Sequence, residues 1–165
     1  MATVHDVAAY ILQSKGAMST WKLQKLVYYS QAWHLVWDEE PLFGEPIEAW
    51  ANGPVVRSLY SQHRGQFTVS RLHLGDPAAL TDSEKATVDG VLASYGSLTG
   101  RQLSHLTHAE GPWQDARSGL SPTDRSETEI SHSSLAAFYS ALDADNNAQP
   151  VESIDWENWD QADPH

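Results

Sequence analysis

From Ser19 to Trp37 the chain holds one helical period, and an element of that length obliges the remaining segments to pack around it. Leu23, Leu26, Val27, Ser30, Trp33, His34 and Trp37 fall on one face over about four turns. Ser19 or Thr20 offers the side-chain oxygen that caps such a helix. The spacing predicts the central helix of the fold.

Other helices announce themselves by their ends. Thr3 and Asp6 form a capping-box pattern ahead of Val4, Val7, Ala8, Ile11 and Leu12, with Gly16 as the stop. Thr81 with Glu84 opens a second such helix, carrying Val88, Val91, Leu92 and Tyr95 and closing at Gly96. Thr99 with Gln102 opens a third, short one with Leu103 and Leu106 inward, running out near His108 before a Gly111-Pro112-Trp113 turn. The last starts near Ser131 and presents Leu135, Phe138, Tyr139 and Leu142. Pro54 stands where a helix favours its proline, with Val55, Leu59 and His63 on one side and Gly65 as the stop. Gln66 to Leu80 reads as a connector with a brief strand at Phe67 to Val69. Pro41, Gly44 and Pro46 break the period after Asp38, leaving a small β-hairpin or an extended loop around residues 42–50. The fold class is mainly α: a compact single-domain bundle of about six helices.

Composition narrows the function. With 165 residues the chain can build a core unaided, burying roughly two-thirds of its unfolded surface. No cysteine is present, so disulfides, thiolate metal sites and cysteine nucleophiles drop out, in keeping with a reducing compartment. Without a long apolar run or a signal-peptide pattern, the expected location is cytoplasmic and no membrane contact is expected. A net charge of -12 with ten Lys and Arg disfavours nucleic acid and suits a basic protein partner. Residues 143–165 hold seven acids and no Lys or Arg, leaving -5 on residues 1–142. The division is therefore a body of 1–142 and an acidic tail of 143–165.

Candidate chemistry is sparse. His105 and His108, three apart on a helix, could present two imidazoles to one ion with Glu110 as third ligand or base, but no second ligand set stands at a recognised spacing. The plainer reading has His108 capping carbonyls at a helix end. No Gly-x-Ser-x-Gly elbow, Walker loop or Gly-x-Gly-x-x-Gly occurs, so no cofactor is implied and no catalytic residue stands out. Lys22, Lys25, Tyr28 and Tyr29 could form a basic, aromatic patch. Its plain alternative is a solvated helix face, and as an interface it suits protein better than nucleic acid. Trp156 and Trp159 alternate with acids in the tail, where docking back on the body and binding a partner are equally good readings.

The body resembles the Panacea domain, the antitoxin domain of SocA-like and phage-associated proteins. The matching stretches are Lys22-Leu23-Gln24-Lys25-Leu26-Val27-Tyr28-Tyr29 with Ala32-Trp33, then Pro41-Leu42-Phe43, then Ile47 through Val56. Tyr95-Gly96, Leu103-Ser104, Leu106 through Trp113, and Ala116-Arg117 follow in order. The resemblance implies an antitoxin that neutralises a cognate protein toxin encoded beside it. In the SocA-like branch it also implies an adaptor that delivers the toxin to a ClpXP-type protease. It brings no catalytic residues, and the residue-level alternative remains a metal-dependent hydrolase using His105 and His108. The sequence departs from the family at Ala51-Asn52, where Tyr or a basic residue commonly precedes Gly-Pro.

Trp50 to Val56 is the signature. A short strand feeding Asn52-Gly53-Pro54 and then Val55 reads as a sharp turn into a helix whose amides would attract a carboxylate: Glu48, Glu110 or one on a toxin. The plainer duty of the segment is to lock the core, with Trp113 beside Trp50. Candidate partner-binding residues are therefore Lys22, Lys25, Tyr28, Tyr29, Trp50, Asn52, Gly53, Pro54, Val55, Trp156 and Trp159.

Overall fold

The computed structural model describes residues 1–145. In chain order the elements are α1 (Val4–Lys15), β1 (Met18–Ser19), α2 (Thr20–Trp37), β2 (Ile47–Trp50), β3 (Gly53–Val56), α3 (Arg57–His63) and β4 (Thr68–Val69). A 3-10 turn (Pro77–Ala79), α4 (Asp82–Tyr95), α5 (Gly100–His108), α6 (Gly111–Ala116), β5 (Glu129–Ile130) and α7 (His132–Ala144) complete them. The fold is mainly α, as the period implied. Among the described residues no helix is long and apolar enough to cross a membrane.

Helix α2 is the hub, packed by α1, α4, α5, α7 and β3. Every residue from Leu23 to His34 is buried, so the helix has no solvated face over three turns. That differs from the amphipathic stripe expected and is the pattern of a core helix. Leu23 and Leu26 are fully buried, each contributing about 1.5–3 kcal/mol by leaving water.

Two polar residues buried on α2, Gln24 and Gln31, are each engaged with a backbone. Leu42 N–H donates to Gln31 Oε1 at 2.6 Å, and Gln31 Nε2 donates to the Phe43 carbonyl at 2.7 Å. Two turns earlier, Val56 N–H donates to Gln24 Oε1 at 2.9 Å and Gln24 Nε2 reaches the Val56 carbonyl at 3.3 Å. A side-chain amide, with donor and acceptor together, thus replaces the neighbouring strand that β3 lacks.

Two corrections concern the signature region. Leu42 and Phe43 form no strand; they are fully buried anchors of the loop, and the hairpin spans residues 47–56 instead. β2 and β3 pair antiparallel from Ile47↔Val56 to Trp50↔Gly53, across an Ala51-Asn52 turn. Pro54 therefore lies in β3, opposite Ala49, and α3 begins only at Arg57. β3 is an edge strand of the order β3-β2-β5. Pro54 shares strand parity with Val56, whose N–H points away from β2 to Gln24, so its missing N–H removes no ladder bond. No helix N-terminus is available at Pro54 to attract a carboxylate.

The rest follows local signals more closely. All three capping boxes form, at Thr3, Thr81 and Thr99. The brief strand expected at Phe67 to Val69 is β4, paired with β1 through Met18↔Val69. At Gly111-Pro112-Trp113 a short helix, α6, replaces the expected turn, Pro112 sitting in its first turn where a missing N–H is harmless. The described residues thus hold seven α-helices rather than six. Helix α7 runs to Ala144, two residues past the expected end of the body.

Candidate functional site

The hairpin is held in place by residues from α5 and α6. Trp113 Nε1 donates to the Trp50 carbonyl at 2.8 Å, and Ser104 Oγ donates to the Asn52 carbonyl at 2.5 Å. Arg117 is buried and reaches the carbonyls of Ala49, Ser121 and Asp124 while its guanidinium lies 5.1 Å from the centre of the Trp113 ring. Trp113 is thus a neighbour of Trp50, through the Trp50 backbone. The Trp50 indole turns outward, donating to Glu48 Oε1 at 2.8 Å, with Tyr60 edge-on at 5.0 Å and Arg57 at 5.4 Å.

Beneath that indole opens a cavity of about 590 Å³ between the start of α2, the hairpin, α3 and the segment from Thr123 to Glu127. Trp50, Val55 and Tyr60 give it apolar walls, while Phe67, 89% exposed, and Trp21, 38% exposed, mark its mouth. Arg125 and Glu127 also line it. Glu127 Oε1 is bound by Arg57 at 2.8 Å and lies 3.6 Å from Arg125. Glu48, also paired with Arg57, is held below the usual carboxylate range: burial works to raise it, but hydrogen bonds from Arg57 and Trp50 outweigh that.

Lys25 lines the same cavity although only 2% of it is exposed. Burial alone pushes its pKa down to about 7, with no acidic neighbour among the described residues to hold the charge. Gly53 makes the room for it: a β-carbon there would stand 2.5 Å from Lys25 Cε, 3.2 Å from Nζ and 3.3 Å from Thr107 Oγ1. At φ 122° the position also demands a backbone that only glycine adopts without strain. His63, on the cavity wall, takes part in a 3.0 Å contact between its Nε2 and Gln24 Nε2, which makes Nε2 the acceptor of the pair. Its pKa is lowered, chiefly by burial and further by the charge of Lys25.

A second polar cluster lies behind α2. Tyr29 Oη donates to Glu110 Oε1 at 2.6 Å, Tyr139 Oη to the same oxygen at 2.8 Å, and the Tyr28 and Tyr139 hydroxyls meet at 3.1 Å. Tyr95 stacks on Tyr29 at 4.2 Å and accepts from Trp33 Nε1 at 3.1 Å. Burial raises the Glu110 pKa to about 7, against the pull of the two tyrosine hydroxyls. The cluster is buried.

The candidate residues therefore divide. Lys25, Trp50, Asn52 and Val55 meet at the cavity, and Gly53 shapes it. The surface patch expected of Lys22, Lys25, Tyr28 and Tyr29 is not there. Tyr28 and Tyr29 are core residues in the Glu110 cluster, Lys25 is enclosed, and Lys22 Nζ donates to the Gly96 carbonyl at 2.6 Å. Pro54 is buried in β3. Trp156 and Trp159 lie outside the described residues. The grouping of His105, His108 and Glu110 is not assembled either, since Glu110 points into the tyrosine cluster and His108 stacks on Trp113 at 4.1 Å. Among the described residues no three His, Asp or Glu side chains stand where they could hold a metal ion.

Sequence reasoning missed Tyr60, Phe67 and the pairing of Gln24 with His63. The available signal was polar side chains recurring on a helix otherwise buried all round: Gln24 and Gln31 are seven residues, two turns, apart.

Neither a curated protein nor a solved structure matches the chain. A family model described as "Antitoxin SocA-like, Panacea domain" matches residues 23–114, more than half of the chain. That span holds α2 from Leu23 onward, the hairpin, Tyr60, His63, Tyr95 and Glu110, so much of the cavity lining and most of the tyrosine cluster fall within it. On that match the chain belongs to the SocA-like antitoxin family and carries its Panacea domain.

Proposed function

We propose that this protein is an antitoxin that neutralises a cognate protein toxin by direct binding, and that the toxin docks on the face around the Lys25 cavity. Family membership supports a role in a toxin–antitoxin pair. The observation that carries the choice of face is the concentration of accessible aromatic surface there: Phe67 and Trp21 at the mouth, with Trp50 and Tyr60 behind them. Aromatic side chains around a concave site supply large contact area at modest entropic cost. The reading places the protein's work in the cytoplasm and leaves residues 143–165, an acidic appendage, as a further contact for a basic partner.

Coexpression with the product of the adjacent gene tests the function. Growth arrest by that product alone, growth restored by this chain, and a copurifying complex are the expected results. A harmless neighbour, or rescue without any complex, rejects neutralisation by binding. Delivery to a ClpXP-type protease makes a different forecast, a shortened toxin half-life in the presence of this chain.

A further inference from the structure

We propose that the cavity under Trp50 is a binding site for a carboxylate carried on an apolar stem, with Lys25 as its counter-ion. This goes beyond toxin neutralisation, because it needs only the cavity and not a particular partner.

Three observations converge on it. First, an ammonium group has been taken out of water and given no anionic partner within the described residues. Burial is the only influence on its proton affinity, so a bound anion is what would hold the charge on this group near neutral pH. Second, the hairpin leaves room for the end of the lysine, since a β-carbon on Gly53 would stand 2.5 Å from Cε and 3.2 Å from Nζ. Third, the surface lining the cavity is mostly apolar, with Trp50, Val55, Tyr60 and Phe67 beside the polar Gln24, Asn52 and His63. Rings and aliphatic carbons favour a stem, not a second charge.

The charge count selects the ligand class. A monoanion and Lys25 cancel, whereas a phosphate dianion would leave one negative charge uncompensated against apolar walls. Arg125 does not supply the second positive charge, because it sits at the surface with Glu127 3.6 Å away. Glu127, which also lines the cavity and is bound by Arg57, further disfavours a multiply charged anion there. A carboxylate on an aromatic or aliphatic stem fits. It comes from one of two sources, the last residue of a polypeptide or a free small acid, and the chemistry at Lys25 is the same for both.

The test uses the full chain and four probes: 3-phenylpropionate, 3-phenylpropanamide, and an acetylated dialanyl-phenylalanine peptide with either a free or an amidated C-terminus. Binding is followed by the shifts of the Trp50 indole N–H and the Val55 amide in two-dimensional NMR. At least one acid is expected to bind ~10-fold or more tightly than its amide, the amide having no charge to pair with the buried ammonium. A full-length Lys25→Met protein, which keeps the volume and removes the charge, is expected to lose that preference. A tighter peptide acid assigns the site to a chain end; a tighter phenylpropionate assigns it to a small molecule. The proposal is overturned by equal binding of acid and amide, by no shift with any probe at ~10 mM, or by an acid preference that survives Lys25→Met. The comparison of acid with amide on the unaltered protein stands even if the variant fails to fold. Because no toxin enters the experiment, its failure leaves toxin binding untouched, and the converse holds.

Discussion

Lys25 and Gly53 share one space: a β-carbon on Gly53 would lie 2.5 Å from Lys25 Cε, so any side chain there would displace the end of the buried lysine of α2. This relationship gives the Gly-Pro pair of the signature a physical reason. The glycine makes room for the lysine, and the proline closes an edge strand without wasting a donor.

Gly53→Ala is therefore expected to destabilise the protein by about 1–3 kcal/mol, chiefly from the strained positive φ and in smaller part from pushing the end of Lys25 aside. Urea unfolding measures it. In a Lys25→Ala background the same substitution should cost less, because the clash is gone and only the strain at φ 122° remains. Equal cost in both backgrounds would show that the two residues do not compete for space.

The two buried charges give stability opposite slopes with pH. Glu110 keeps its proton up to about 7 in the folded protein but loses it near 4.5 when unfolded, so the folded state binds more protons between those values. Stability relative to Glu110→Gln should then fall as pH rises through that window, by roughly 3 kcal/mol. Lys25 is the reverse case: it releases its proton near pH 7 when folded and near 10.5 when unfolded. Between those values the unfolded chain binds more protons, so stability relative to Lys25→Met should rise with pH. Chemical denaturation of the wild type and both variants at a series of pH values checks the two slopes separately.

Gln24 holds the open side of β3, and nothing else is placed to satisfy the Val56 N–H. Gln24→Leu should cost about 2–3 kcal/mol by leaving that donor buried and unpaired. Hydrogen exchange at the Val56 amide should speed up more than exchange in α4, on the other side of the core. Uniform acceleration would mean that Gln24 supports the whole fold and not this strand.

Legibility in the sequence tracked distance along the chain. The capping boxes at Thr3, Thr81 and Thr99 each join residues three apart, and all formed. Pro54 misled because its preference for a helix start is local, whereas pairing with Ala49 across the hairpin decided its structure. Tyr28 and Tyr29 look like surface residues beside two lysines, yet Tyr29 finds Glu110 81 positions away and Tyr28 finds Tyr139 111 away. A buried hydroxyl is tolerable only with such a partner, and sequence order does not reveal which one. The cavity was half legible for the same reason: Lys25, Trp50, Asn52 and Val55 belong to the signature stretches, but Tyr60 and Phe67 join them only through the path of α3 and β4.

The most direct test of the docking face is the affinity of the purified toxin for three full-length proteins: wild type, Tyr60→Ala, and Trp37→Ala. Trp37 is exposed too, at 45%, but sits at the other end of α2. Calorimetry should show Tyr60→Ala binding ~10-fold or more weakly, as expected for an aromatic anchor in a concave site, with Trp37→Ala close to wild type. Undiminished binding by Tyr60→Ala, with the loss appearing at Trp37→Ala instead, would contradict the account and move the toxin to the opposite end of the central helix.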